Sequence, residues 1–136
     1  MHENDVAKVI VDASYKIHKK LGPGLLESVY EIVLCHELQK QGLLVKRQVS
    51  IPVVWEDVVI QEGFRADLLV ADKVIVEIKS VERLAQVHGK QLLTYLRLLD
   101  KRLGLLINFG EFLIKNGIKG SFVNNLGFRS STSLRS

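Results

Sequence analysis

The chain has 136 residues, 47% hydrophobic and 25% charged, which excludes a disordered polyelectrolyte and leaves enough apolar sequence for one closed core. Its net charge of +4 is mildly basic and favours a polyanionic partner, and a solvated surface with a slight lysine excess explains it about as well. The single cysteine, Cys35, excludes an internal disulfide and a cysteine-built zinc or iron–sulfur site.

No apolar run approaches the ~20 residues of a bilayer span, and the opening MHENDVAK lacks a basic-then-apolar leader, so a cytoplasmic chain with no membrane partner is expected. From Asn4 or Asp5 to about Lys20, Val6, Val9, Ile10, Ala13 and Ile17 recur at helical spacing and predict a first helix. Gly22-Pro23-Gly24 ends it. A second helix is expected from about Leu25 to Gln41, stopped by Gly42. The stretch LLVKRQVSIPVVW is then rich in β-formers, with Pro52 marking an edge or a bulge. VVIQEGFRADLLV and KVIVEIKS follow as strands joined by a tight turn around Asp72. A third helix is expected from about Val81 to Asp100, then an apolar strand in LGLLINF. FLIKNGIKGSFV reads as a small C-terminal hairpin on a type I′ Asn116-Gly117 turn, and RSSTSLRS as a frayed, solvated end. DLLV, VIVEI and GLLIN are apolar on both faces, as in a sheet covered by helices on both sides. The expected order is ααβββαβ plus the C-terminal β-hairpin, an α/β fold in one domain over residues 1–136.

The chemistry starts at VIVEIKS. A strand repeats every two residues, so Glu77 and Lys79 share one face while Val76 and Ile78 take the other. A three-residue turn, Ala71 to Lys73, puts Asp67 opposite Glu77, whereas a two-residue turn puts it opposite Ile78 on the wrong face. An odd-length turn or a bulge is therefore expected. A salt bridge from Lys79 to one carboxylate is one explanation of the set. Two carboxylates against one ammonium leave net negative charge in a partly desolvated place, and Mg²⁺ with oxygen ligands would balance it. Glu27, in the first turn of the second helix with Tyr30 and Glu31 on its stripe, is either a partner of the helix dipole or a further acid for that place. His88, Gln91 and Tyr95 form a polar stripe that either meets solvent or borders the same cleft, beside an apolar stripe of Leu92, Leu96 and Leu99.

Glu27, Asp67, Glu77-Ile78-Lys79 and Gln91-x-x-x-Tyr95, in that order, resemble the RecB-like branch of the PD-(D/E)XK nuclease superfamily. With Gly24-x-x-Glu27-x-x-Tyr30, RADLLV, VIVEIKS, QLLTYLRLL and GLLINFG, nearly the whole chain resembles the small GxxExxY proteins. The resemblance implies a restriction-endonuclease-like core, a mixed central sheet flanked by helices, and Mg²⁺- or Mn²⁺-dependent hydrolysis of phosphodiester bonds in nucleic acid, DNA first. It implies Asp67 and Glu77 as metal ligands with the Ile78 backbone carbonyl, and Glu27 holding the metal or its water. Lys79 would orient the attacking water or stabilise charge on the phosphate. Gln91 and Tyr95 would line the cleft and touch nucleic acid, with His88 and Tyr30 as further substrate-side residues. The alternative is a catalytically silent metal- and nucleic-acid-binding or protein-interaction module on the same fold. The alternating apolar residues of VSIPVVW could pair between copies as a homodimer.

Overall fold

The computed structural model describes residues 1–123 and the backbone of residues 129–133. Helix α1 (Glu3–Leu21) starts at His2, whose imidazole accepts the Asn4 amide while its own amide donates to the Asp5 carboxylate. Val6, Ile10 and Ile17 face inward. Helix α2 (Glu27–Lys40) follows a turn in which Gly22 and Gly24 have φ of +71° and +105°, conformations that glycine takes without a Cβ penalty.

Strand β1 (Val45–Ser50) ends just before Pro52, and β2 (Val53–Trp55) and β3 (Val58–Ile60) form a separate two-stranded ribbon. Proline thus divides two strands where the sequence suggested one β-rich stretch. Strands β4 (Arg65–Val70) and β5 (Val74–Lys79) form an antiparallel pair, helix α3 (Gln86–Leu98) crosses over, and β6 (Leu103–Asn108) returns parallel to β5. Strands β7 (Ile118–Val123) and β8 (Arg129–Ser133) complete a mixed six-stranded sheet in the order β1-β4-β5-β6-β7-β8.

The C-terminal region departs from the expected hairpin. Ile114–Gly117 is a 3₁₀ turn, so Asn116-Gly117 does not link two strands; β7 pairs with β6 on one side and β8 on the other. A Cβ on Gly117 would press on the Asn108 carbonyl, and this close approach holds the segment as a packed turn. Residues 129–133, expected to fray, are a paired strand, while 134–136 lie outside the described residues.

The sheet separates two apolar clusters. Beneath α1 and α2 lie Leu68, Val70, Val74, Val76, Ile78, Leu105 and Ile107; beneath α3 lie Leu69, Ile75 and Leu106, with Leu92, Tyr95 and Leu96 of the helix. Fully burying each such aliphatic side chain contributes roughly 1.5–3 kcal/mol. Among the described residues no helix is long and apolar enough to cross a membrane.

Candidate active site

Glu77 and Lys79 lie on the α3 side of β5, because their neighbours Val76 and Ile78 belong to the opposite cluster. The β4–β5 turn has three residues, with Val70 opposite Val74 and Leu68 opposite Val76. Continuing that register brings Asp67 level with Glu77. The Asp67 amide donates to Glu77 Oε1 at 3.2 Å, and the Ile78 amide donates to Asp67 Oδ2 at 2.7 Å. In a strand, one residue's N–H and C=O point to the same neighbour. The Ile78 carbonyl therefore projects toward β4, alongside Asp67, while that of Lys79 accepts the Phe109 amide on the other side.

Strands β1 and β4 change faces at this level. Val45 packs beneath α2 and Arg47 reaches Glu31 of α2, whereas Val49 and Ile51 belong to the α3 cluster; on β4, Leu68 and Ala66 are divided in the same way. Strict alternation would keep Val45, Arg47 and Val49 together. The switch occurs at Gln48, whose φ is +52°. Its side-chain amide donates to Glu31 Oε1 at 2.7 Å and to Asp67 Oδ1 at 3.3 Å. Glu31, only 5% exposed, also accepts Arg47 Nε and Nη2, both at 2.9 Å. A chain of polar contacts thus runs from Arg47 through Glu31 and Gln48 to Asp67 and Glu77.

Burial pushes the Glu77 carboxyl up to about 8, and the Asp67 negative charge pushes in the same direction; the Asp67 amide and Lys79 oppose them. Without a cation, burial and the Asp67 charge therefore both favour the protonated form of Glu77. Among the described residues Lys79 forms no ion pair, so the simple salt bridge is not what the strand carries. The all-oxygen donor set and its suppressed ionisation fit a hard divalent ion, and Mg²⁺ binds through one or two carboxylates while keeping several waters. No group of three or more His, Cys, Asp or Glu suited to a metal occurs among the described residues.

The other predicted residues divide. Glu27 accepts the Ser80 amide at 3.3 Å, and the Ser80 hydroxyl donates to the Leu25 carbonyl, so Glu27 ties α2 to the end of β5 one residue beyond Lys79. It does not join Asp67 and Glu77 in a three-acid cluster. Tyr95 is buried, 5.9 Å in ring centroid from Phe64. Burial, followed by the charges of Glu77 and Asp67, raises its phenol, while a hydrogen bond with Gln91 lowers it. Tyr95 therefore lies within reach of the carboxylates' charge, with Gln91 as its hydrogen-bond partner. Tyr30 does not line the cleft: it is fully buried and stacked on Phe109 at 4.5 Å, and its hydroxyl bridges the Gly22 carbonyl and the Leu25 amide. His88 accepts the Ala85 amide through Nδ1, which gives it a place in the start of α3.

Asn108 was not singled out from the sequence. It is fully buried, and its amide group binds both the N–H and C=O of Val81 and the N–H of Gly110, pinning the segment that leaves Lys79. A Cβ on Gly110 would collide with the Val81 backbone.

The family model of the PD-(D/E)XK nuclease superfamily matches residues 4–120, from α1 into β7. The chain belongs to the PD-(D/E)XK nuclease superfamily. No curated protein and no solved structure matches it. Membership accords with the restriction-endonuclease-like α/β fold and suggests nuclease activity. Gln48, with its positive φ, and Glu31 had only weak sequence signals: a polar residue within a strand, and an acid on a helix stripe.

Proposed function

We propose that this chain is an Mg²⁺- or Mn²⁺-dependent nuclease that hydrolyses phosphodiester bonds in DNA, a GxxExxY-type member of the RecB-like branch acting in the cytoplasm as one domain. The carrying observation is the pair of carboxylates, Asp67 and Glu77, locked by each other's strand, with Lys79 on the face of Glu77 and in no ion pair among the described residues. Asp67, Glu77 and the Ile78 carbonyl would hold the ion, which when bound supplies Lewis acidity and lowers the pKa of water. Lys79 contributes a fixed positive charge where negative charge accumulates on the phosphate, and directs the attacking water. Gln91 and Tyr95 border the strand being cut, and Glu27 helps to fix the end of β5.

Incubating the protein with linear and circular DNA, with Mg²⁺, Mn²⁺ or EDTA, tests this. Cleavage should need the ion and fall by at least about 10²-fold in Asp67→Ala, Glu77→Ala and Lys79→Ala. Equal cleavage by wild type and variants would assign the activity to a contaminant. Metal and DNA binding without turnover would instead support the silent module.

A homodimer is a second element of this reading. It is supported by Val54, Trp55, Val58 and Val59, each more than half exposed, on a separate two-stranded ribbon. The ribbon and its flanks, residues 51–64, contain Glu56, Asp57 and Glu62 and no Lys or Arg, giving −3 within a chain of net +4. An apolar, acidic ribbon suits a second, basic copy rather than DNA. Light scattering should give a dimer that Trp55→Ser with Val54→Lys converts to monomer.

A further inference from the structure

Helix α3 has two flanks. Tyr95 feels the charge of the carboxylates, while Lys90 and Leu93 border an open groove of about 340 Å³ between the helix and the β6–β7 part of the sheet. Leu84, Leu93 and Leu106 give the groove an apolar floor. Lys90, Lys119 and the nearly buried Ser121 give it a polar wall. Among the described residues no acidic side chain lines it, and neither lysine forms an ion pair.

Register fixes the groove relative to the site. Glu77 pairs with Leu106 and Leu106 with Lys119, forming one row across β5, β6 and β7. Ile118 belongs to the α1/α2 cluster, so its neighbour Lys119 projects to the α3 face, as Glu77 does. Two strand spacings put the Lys119 backbone about 10 Å from that of Glu77. The volume lies at the small end of the ~300–1,000 Å³ of ligand pockets, too little for a duplex and enough for one nucleotide.

We infer that this groove seats one unpaired nucleotide of the bound strand, its phosphate between Lys90 and Lys119 and its base over Leu93 and Leu106. The inference rests on the nuclease reading and deepens it: the substrate has a single-stranded segment beside the cut. Two cations without counter-charges call for an anion, and the leucine floor calls for an apolar ring attached to it.

The test uses the full chain in EDTA, where nothing is cut. dTMP and inorganic phosphate are titrated while backbone amide NMR shifts are followed, and a fluorescent dT oligomer is titrated by anisotropy. dTMP should shift Leu93, Leu106, Lys119 and Ser121, with phosphate alone binding about tenfold more weakly. The Lys90→Ala, Lys119→Ala double variant should lower the log–log salt slope for the oligomer by about 0.7, the value for the one phosphate held between the two lysines on a single strand. Lys8→Ala with Lys16→Ala, whose lysines pair with Asp12 and Glu37 on α1 and α2, should leave the slope unchanged. Leu93→Trp, which fills the groove and keeps both charges, should abolish dTMP binding and spare phosphate binding.

Shifts located elsewhere, equal slopes for the two double variants, or dTMP binding that survives Leu93→Trp would overturn the inference. Asp67→Ala should still bind dTMP, so loss of cleavage and loss of the nucleotide seat remain separate results.

Discussion

Val74, Val76 and Ile78 of β5 lie beneath α1 and α2 in an unbroken apolar cluster, whereas on the other face only Ile75 is apolar and Glu77 and Lys79 follow it. One strand thus gives alternate residues to cohesion and to chemistry. The first face gains from every contact, since apolar burial is favourable and non-directional. The second holds a carboxyl, Glu77, that burial and then the neighbouring Asp67 charge make resist ionisation. Such an arrangement persists because its neighbours over-determine it: each carboxylate accepts the other strand's amide, and Gln48 and Glu31 restrain Asp67.

The contrast can be broken most strongly on the cohesive face. Leu68→Ala should cost about 2–5 kcal/mol of unfolding free energy in urea titrations, because a fully buried leucine leaves a cavity. On the other face the sign reverses. The folded Glu77 value of about 8 lies above its ordinary 4.5, so its contribution to stability is present below pH 4.5 and lost as pH rises toward 8. In metal-free protein, Glu77→Gln should match wild type near pH 4.5 and be the more stable above pH 8. The difference should be on the order of a few kcal/mol, read as thermal midpoints across the range. Equal midpoints at pH 9 would show that Glu77 carries no such burden.

Gln48→Ala sharpens the comparison by removing the restraint and leaving both carboxylates. Mn²⁺ affinity by calorimetry should fall about tenfold, as for other groups that orient a metal ligand. Tyr30→Phe is the smallest change. Loss of the bridge to Gly22 and Leu25 should cost about 1 kcal/mol in denaturant titration and leave cleavage unaltered, in keeping with a tyrosine of the core.

Much of this face pattern was legible in the sequence, because strand period and turn length are local. VIVEIKS divides its residues between two faces, and a three-residue turn brings Asp67 level with Glu77. Tyr30 misled because helical spacing gives a stripe but not what covers it. Its phenol closes a glycine turn eight residues earlier in the chain, a contact that no periodicity encodes. Gln48 was hidden for a different reason: a left-handed residue inside a strand has no compositional mark when it is not glycine. The Asn116-Gly117 signal was a turn signal, but the turn it makes is 3₁₀, dictated by packing against Asn108.

The Ala71–Lys73 connection sets a limit on how this region can vary in length. Deleting Asp72 alone would either slide the two strands past one another or rotate β5 by half a turn. The second outcome would drive Glu77 and Lys79 among the leucines and valines under α1 and expose Val76 and Ile78. Insertions or deletions in that loop are therefore tolerable only in pairs of residues, a constraint on spacing that acts independently of which amino acids occupy it.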